Sequence, residues 1–219
     1  GNQFNIKAKI VVSAAGPWVD ELRKVNQSQQ GKRLHLTKGV HLVVPHKKLP
    51  VKQAIYFDVP DGRMIFAIPR QSVTYIGTTD TDYKGDKDKV LTNRADVDYL
   101  LRGVNNMFPS IELTVEDVVS TWAGLRPLIH EEGKSASELS RKDEIFISDT
   151  NLISIAGGKL TGYRKMAERI VDLVDKQFRK EFGGNKKKCI SHKLPLANGG
   201  LSSGKDVKRY RKELQTRLI

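Results

Sequence analysis

The sequence predicts a mixed α+β fold, in which an antiparallel sheet with flanking helices is joined to a smaller α/β part. Two patterns indicate this fold. Four strand-like segments follow one another between residues 33 and 79, separated by short polar connections. An apolar strand, a glycine turn and a helix-compatible segment also occur in that order twice, around Gly16 and around Gly157. Runs of strands beside strand–helix units are typical of mixed folds.

Composition limits the classes of protein to which the chain can belong. Its 219 residues suffice for one large or two small domains, and it has no run of about 18 apolar residues that would predict a membrane helix. The first residues lack the pattern of a signal peptide and an initiator methionine, which suggests a piece of a longer protein. The single Cys189 excludes an internal disulfide and favours a reducing compartment. The histidines show no spacing typical of a metal site, so no metal is expected.

The net charge of +13 is concentrated near the C-terminus. Residues 176–219 contain 13 Lys/Arg and 3 Asp/Glu, and they therefore carry +10 of that charge. A basic tail of this kind can contact anionic lipid or nucleic acid, or it can be a solvated helical extension. Because no aromatic-interleaved basic stripe or RNA-binding motif accompanies it, we expect no nucleic-acid partner.

The N-terminal segment predicts a strand over residues 7–13 and then a helix over residues 14–22. Pro17 suits the first helical position. The segment can be the edge of an α/β domain, or it can be an ordinary connection between a strand and a helix. A polar link at residues 27–33 separates it from the sheet.

The middle of the chain predicts an antiparallel meander. A long strand covers residues 33–45, with a kink or bulge at Gly39. Three shorter strands follow at residues 54–59, 63–69 and 74–79. The first connection between them, Pro60-Asp61-Gly62, has turn chemistry. A polar loop at residues 80–86 ends the block.

Beyond this block, a helix is predicted over residues 92–107 and a strand over residues 115–129, with a bend at Gly124. A mobile loop is expected at residues 130–140. A last hairpin-like pair of strands covers residues 143–148 and 151–156.

The hairpin leads into a Gly-Gly turn that is a candidate ligand site. Gly157 and Gly158 have no Cβ, so the backbone there can pass close to a ligand. The helix predicted over residues 160–182 begins with unpaired N–H groups and the positive end of its dipole, and Lys159 adds a full charge. An ordinary surface turn with an exposed lysine has the same pattern.

Five segments in this order and spacing carry a resemblance to a known family. They are residues 11–20 (VVSAAGPWVD), 38–44 (KGVHLVV), 76–80 (IGTTD), 122–128 (WAGLRPL) and 157–161 (GGKLT). Together they resemble FAD-dependent glycerol-3-phosphate dehydrogenases, over about residues 8–175. The Lys-Gly-x-His and Trp-Ala-Gly-x-Arg-Pro segments favour this family within the wider glycine-oxidase and D-amino-acid-oxidase-like superfamily.

The resemblance implies that the antiparallel sheet is a substrate-binding domain and that the strand–turn–helix segments are part of an FAD-binding α/β domain. The implied organisation is residues 1–26 (partial FAD domain), 27–148 (substrate-binding sheet), 149–182 (FAD-domain strand, Gly-Gly turn and helix) and 183–219 (linker and start of a truncated helical domain). The family's GxGxxG segment for the FAD pyrophosphate is absent from the sequence. This part alone is therefore expected to bind FAD poorly and to be inactive. Ser13, where the family usually has Asn, and Gly162, where it usually has a second Thr, are departures that affect the expected flavin contacts.

The activity implied by the resemblance is oxidation of sn-glycerol 3-phosphate to dihydroxyacetone phosphate, with FAD as cofactor and quinone as electron acceptor. A glycerol-3-phosphate oxidase or related flavin amine oxidase that uses oxygen is one alternative. A non-enzymatic binding module that uses the basic tail is another. The implied location is the cytoplasm or the inner face of the membrane as a peripheral protein, and a homodimer is compatible with the resemblance.

The resemblance also implies roles for polar side chains. Arg126 would bind substrate phosphate or hydroxyl, since a guanidinium is a bidentate ligand, or it would form a structural ion pair. Lys159 would lie at the flavin edge near the substrate, or it would be an exposed surface lysine. Arg141 is a further substrate-binding candidate. His41 would orient or deprotonate the C2 hydroxyl as a neutral imidazole, although strand histidines are often purely structural.

The cofactor candidates lie in the two glycine turns. They are Ala15, Gly16, Gly157, Gly158, Lys159, Leu160 and Thr161. Thr161 would face the flavin pyrimidine ring together with the N–H groups of the helix start, or it would cap that helix. Trp18 and Trp122 are interpreted as core residues.

Overall fold

The computed structural model describes residues 3–130, 142–194 and 203–217. Its strands are β1 (Val11–Ser13), β2 (Leu34–Pro45), β3 (Ile55–Asp58), β4 (Met64–Arg70), β5 (Val73–Gly77), β6 (Thr81–Asp82), β7 (Ser120–Ile129), β8 (Asp143–Ile147) and β9 (Leu152–Gly157). Its α-helices are α1 (Val19–Val25), α2 (Arg94–Met107), α3 (Tyr163–Phe182) and α4 (Gly204–Arg217). The chain divides into two compact units, Gly1–Gly162 and Tyr163–Ile219. The mixed α+β class is therefore confirmed.

The larger sheet of the first unit is antiparallel and is arranged around β2. One edge of β2 pairs with β5 and then with β6, while its other edge pairs with β7 from Leu34 to Val43 without interruption. The sheet order is β3-β4-β5-β2-β6, with β7 beside β2. The predicted meander is wrong at its start because β2 pairs with β5 instead of β3. The connection at residues 46–54 is too long for a tight hairpin and carries the chain to the far edge of the sheet.

Three further predictions about this sheet are corrected by the structure. The bulge at Gly39 is absent from the β7 side, where Gly39 pairs directly with Gly124. The strand predicted from residue 115 begins at Ser120, because Val115–Asp117 form a 3₁₀ turn whose start is capped by a hydrogen bond from the Thr114 amide to the Asp117 carboxylate, 3.0 Å. The polar loop at residues 80–86 contains β6.

Helix α2 covers one face of the larger sheet and closes the main core. Alternate residues of β2 point toward this helix, as strand geometry requires. The fully buried side chains of the core include Val40, Leu42, Val44, Ile65, Ile76, Leu100 and Val104. Asn93 caps α2, since its side chain accepts a hydrogen bond from the Asp96 amide while the Asp96 carboxylate accepts one from the Asn93 amide.

A buried ion pair joins α2 to β2. The Lys38 Nζ lies 2.5 Å from the Asp96 Oδ2, and both side chains are less than a tenth exposed. Lys38 also donates to the carbonyl of Leu91 at 3.3 Å. Because the same Asp96 carboxylate caps the helix, one side chain fixes both the start of α2 and its attachment to the sheet.

The smaller sheet has the order β1-β9-β8. β1 and β9 are parallel, whereas β8 and β9 form the predicted antiparallel hairpin. The strand predicted over residues 7–13 is shortened to Val11–Ser13, the three residues that find pairing partners on β9. Val19, Ile129 and Ala156 form a second core cluster, which joins α1 and the end of β7 to β9.

The second unit contains α3 and α4. The helix predicted from residue 160 begins at Tyr163, after a 3₁₀ turn at Leu160–Gly162. α4 has no buried residue among those the structure describes, in keeping with its few apolar positions. The predicted linker at residues 189–204 lies partly outside the described residues. So does the predicted loop at residues 130–140, of which only residue 130 is described. None of the helices in the described part of the chain is apolar over a length that could cross a membrane.

Replacing Asp96 with alanine is expected to destabilise the chain by about 3–5 kcal/mol, since it leaves Lys38 buried without its partner and removes a helix cap. Urea denaturation followed by circular dichroism measures this change. Asp98→Ala is the matched control, because it breaks the exposed Arg94–Asp98 pair on the same helix and should cost less than about 0.5 kcal/mol. Equal losses in the two variants would contradict the importance of the buried pair.

Candidate functional site

The face of the larger sheet opposite α2, called here the open face, carries two of the polar residues predicted for the substrate site, His41 and Arg126. Since Val40 and Leu42 point into the core, Gly39 and His41 point the other way. The register with β7 places Gly39 opposite Gly124 and His41 opposite Trp122. It places Arg126 opposite Thr37. The open face thus presents an arginine and a stacked histidine on either side of a glycine pair.

Arg126 is held by a segment that follows β5. Its Nη2 donates to the Thr78 Oγ1 at 2.8 Å, and its Nη1 donates to the Thr79 carbonyl at 3.1 Å. The Nη1 also lies 3.4 Å from a carboxylate oxygen of Asp80, so the structural ion pair considered from the sequence is present. The Arg126 side chain is still 26% exposed. The guanidinium is therefore oriented by the protein and remains partly accessible.

The glycines of the open face leave room for these side chains. A Cβ on Gly39 would lie 2.5 Å from the Arg126 Nη1 and 2.6 Å from its Cζ, so only glycine lets the guanidinium lie flat on β2. A Cβ on Gly77 would lie 2.8 Å from the His41 Nε2. Gly124, in contrast, has open space where its Cβ would be. The surface over Gly124 is thus a gap between Arg126 and His41 that no described protein atom within 4 Å of that position fills.

His41 lies in an apolar and aromatic environment. Its ring stacks on Trp122 with centroids 4.8 Å apart and an interplanar angle of 9°, and the Phe66 ring lies 5.5 Å away. Burial lowers the pKa of His41 below its ordinary value of 6.5, and the nearby charge of Arg126 lowers the pKa further. His41 is therefore neutral at pH 7. Its Nδ1 is buried and has no hydrogen-bond partner among the described residues.

Trp122 was missed by the sequence reasoning. The interpretation of Trp18 and Trp122 as core residues is wrong, since they are 37% and 44% exposed. Trp122 instead supports His41 on the open face, with Tyr75 at its edge 5.2 Å away. A signal was present: Trp122 and Arg126 are four residues apart on one strand and so share a face. No comparable local pattern in the sequence predicts that Thr78, Thr79 and Asp80 hold the Arg126 guanidinium.

The candidate cofactor residues lie mainly at one edge of the smaller sheet. Because β1 and β9 are parallel, Ala15 and Gly16 follow one strand at the same edge where Gly157 and Gly158 end the other. Ligands of α/β sheets bind at such carboxyl ends. The three glycines have φ values of 53°, 78° and 77° in chain order, which favour glycine.

One observation at this edge favours a polar ligand, and another explains why it carries glycine. A Cβ on Gly157 would lie 2.6 Å from the carbonyl of Lys142, so the close approach of the neighbouring backbone requires glycine there. The hydroxyl of Ser13, at the end of β1, is buried without a hydrogen-bond partner in the described part of the chain. The residues present therefore fit a polar cofactor held against the glycine turns.

The remaining predicted site residues are placed differently. Lys159, Leu160 and Thr161 are exposed, and Leu160 is 88% exposed. Thr161 lies within the 3₁₀ turn that precedes α3. Arg141 lies outside the described residues.

The two groups of residues are neighbours in the first unit. The 3₁₀ turn at Gly16–Trp18 lies against both β7 and β9. The Cβ position of Gly157 is 3.5 Å from the Cδ1 of Ile129, at the end of β7. Arg126 is three residues before Ile129, which corresponds to about 10 Å along the strand, and its side chain lies on the other face of β7. Strand β7 thus runs from the open face to the glycine edge.

Glycine turns at the carboxyl ends of two parallel strands, next to an antiparallel sheet, are typical of mixed α+β proteins that bind a cofactor. The chain belongs to the DAO family of FAD dependent oxidoreductases, whose family model matches residues 1–163.

Similar proteins are longer than this chain. It is 51% identical over 208 residues to the aerobic glycerol-3-phosphate dehydrogenase of Bacillus subtilis (strain 168), covering 95% of this chain and 38% of that protein. It is 53% identical to the Staphylococcus aureus (strain USA300) protein of the same name, covering 94% and 37%. The chain thus spans less than two fifths of the length of these relatives.

Solved structures show the same fold. The glycerol-3-phosphate dehydrogenase from Bacillus halodurans, complexed with FAD, matches 95% of this chain and 39% of its own with a TM-score of 0.81 and 51% identity. Glycine oxidase from Bacillus cereus matches 78% of this chain and 44% of its own with a TM-score of 0.53 at 19% identity, which shows a shared fold alone.

Gly39→Ala is expected to displace the Arg126 guanidinium and to destabilise the chain by about 1–3 kcal/mol, because the new methyl group overlaps with it. Gly124→Ala is the matched control on the paired residue of β7 and should change stability by less than about 0.5 kcal/mol. Urea denaturation and crystal structures of both variants measure these effects. A Gly39→Ala crystal structure in which the Arg126 guanidinium keeps its position would contradict the expected displacement.

Arg126→Gln is expected to raise the pKa of His41, since removing a nearby positive charge makes protonation of the imidazole easier. The pKa should stay below 6.5 in the variant, because burial is the larger cause of the shift. NMR titration of the His41 imidazole measures it. Arg94→Gln, on the opposite side of the sheet, should leave the titration unchanged, and an unchanged His41 titration in Arg126→Gln would refute the coupling.

Proposed function

We propose that the chain is the substrate-binding sheet and part of the cofactor domain of an FAD-dependent glycerol-3-phosphate dehydrogenase. The observation that carries the proposal is the open face, where an oriented and accessible Arg126 lies across a glycine gap from a neutral His41. An anion and an adjacent hydroxyl are the groups that such a pair recognises. The identity of 51–53% to relatives of that name supports the choice of glycerol 3-phosphate.

FAD is the cofactor in this proposal. Ala15, Gly16, Gly157 and Gly158 would hold it against the glycine edge, where the Ser13 hydroxyl is unpaired among the described residues. The exposed Lys159, Leu160 and Thr161 would complete the contact. When bound, FAD would supply the redox chemistry as the hydride acceptor of the oxidation.

The protein's own side chains would bind and orient the substrate. The Arg126 guanidinium would hold the phosphate or the hydroxyl with charge-assisted hydrogen bonds, together with Lys159 and Arg141. His41 would take the proton of the C2 hydroxyl, because its lowered pKa leaves the imidazole free to accept one at pH 7. The Trp122 ring would exclude water from one face of that imidazole.

The proposal also covers the electron acceptor, the location and the oligomeric state of the complete enzyme. Electrons would pass to quinone, and the enzyme would work in the cytoplasm with peripheral contact to the inner membrane face, as a monomer or homodimer. The word "aerobic" in the names of the relatives supports a respiratory acceptor. The chain alone would be inactive. Production of hydrogen peroxide instead of reduced quinone analogue would favour the oxidase alternative.

The test uses the complete protein that carries this chain, purified with FAD. Glycerol 3-phosphate should bleach the flavin absorbance, and Arg126→Ala should lower kcat/KM at least about 100-fold, the value of roughly 3 kcal/mol of charge-assisted hydrogen bonding. Arg94→Ala, which removes an exposed arginine from α2, is the control and should keep full activity. A flavoprotein that glycerol 3-phosphate does not reduce would rule out the proposal.

A further inference from the structure

Thr79 connects the Arg126 guanidinium, on the open face, to the central strand β2. β5 ends at Gly77 and β6 begins at Thr81, so the three residues between them, 78–80, belong to neither strand. All three contact the Arg126 guanidinium, through the Thr78 hydroxyl, the Thr79 carbonyl and the Asp80 carboxylate. We call this segment the guanidinium cradle.

The cradle is fixed to β2 by one side chain. The Thr79 hydroxyl accepts a hydrogen bond from the Val40 amide at 2.9 Å and donates one to the Lys38 carbonyl at 3.2 Å. These are backbone groups on either side of Gly39: Lys38 is the last residue of β2 that pairs with β6, and Val40 pairs with neither β5 nor β6. The hydroxyl therefore replaces the strand pairing that is missing there.

The position of Thr79 makes this attachment rigid. Thr79 is 1% exposed, so bulk water does not compete for the hydrogen bonds of its hydroxyl. A second attachment, from the Arg63 Nη1 to the Asp80 carbonyl at 3.3 Å, is longer and comes from a partly exposed side chain. Of these two attachments, the Thr79 hydroxyl is therefore the shorter and the better shielded from water.

We propose that Thr79 is a positioning residue, which acts through Arg126 to orient the anionic group of the substrate. The proposal rests on the proposed function for the identity of that substrate. Thr79 itself would not contact the substrate, because it is buried. Loss of its hydroxyl would take from the buried Val40 amide the hydrogen bond to Thr79, would leave the Lys38 carbonyl with only the longer contact to the Thr81 hydroxyl, 3.5 Å, and would release the cradle.

The first experiment compares Thr79→Val and Thr79→Ser in the complete enzyme. The valine variant should raise KM for glycerol 3-phosphate about tenfold and change kcat less than about threefold, since the phosphate is bound equally in ground and transition states. The serine variant keeps the hydroxyl and should stay within about threefold of the wild type in both constants.

The matched control is Thr74→Val. Thr74 is also fully buried and donates to the Leu49 carbonyl at 2.9 Å, but it lies far along β5 from the cradle. The Thr74→Val variant should lower the stability of the enzyme and leave KM for glycerol 3-phosphate unchanged. If Thr79→Val does not fold with its FAD, Thr79→Cys provides a weaker hydrogen-bonding group and should give an intermediate KM.

A double-mutant cycle separates positioning from a general structural role. In an Arg126→Ala background, Thr79→Val should cause no further change in KM, because the group through which it acts is gone. An unchanged KM in the folded valine variant would overturn the proposal. So would a failure of serine to restore KM, or an equal effect with and without Arg126.

A crystal structure of the Thr79→Val variant gives a result that does not depend on the substrate. The 2.8 Å contact between the Arg126 Nη2 and the Thr78 Oγ1 should be lost. An undisturbed guanidinium would refute the positioning role even if the enzyme oxidises glycerol 3-phosphate. A displaced guanidinium in an enzyme that glycerol 3-phosphate does not reduce would refute the proposed function and keep the positioning role.

Discussion

The pairing of β2 with β7 is the constraint on which the rest of the structure depends. Ten consecutive residue pairs, from Leu34 with Ile129 to Val43 with Ser120, fix which side chains meet on each face. A slip of β2 by one residue would move His41 into the core and would expose the apolar residues of β2 that pack against α2. The same pairing brings two glycines opposite each other, and this makes the gap in the open face.

Lys38 and Arg126 lie on opposite faces of the sheet, and each cation is stabilised in a different way. Lys38 is buried beside Asp96 and is neutralised there, so it attaches the helix and contributes nothing to the open face. Arg126 is only partly neutralised by Asp80, at a longer distance, and it remains accessible. Its residual charge lowers the pKa of His41. The electrostatic character of the site therefore comes from the difference between these two pairs.

Much of the candidate site was predictable because its residues lie in ordered motifs. His41 and Arg126 were chosen from the sequence, and strand alternation places them on the same face. The two glycine turns were predicted as well, and the parallel pairing of β1 with β9 brings Gly16 and Gly157 to one edge. The roles of these residues toward substrate and cofactor remain predictions.

Other features were decided by contacts that local patterns do not encode. Trp122 has the apolar character of a core residue, and only its register opposite His41 shows that it supports a polar side chain. Residues 115–119 have the composition of a strand, but the cap formed by Asp117 accompanies a 3₁₀ turn at Val115–Asp117, and the strand begins at Ser120. The cradle arises from an interruption between two strands, which is visible only when both are paired with β2.

The sequence by itself determined the mixed fold class, most helices and strands, the two glycine turns and the polar residues suited to an anionic substrate. These depend on local periodicity, turn chemistry and residue type, which act over a few neighbouring positions. The tertiary structure alone decided the order of strands, the neighbours of Arg126 and the burial that makes His41 neutral. Those properties depend on residues far apart in the chain, such as Thr79 and Arg126, whose meeting no local pattern specifies.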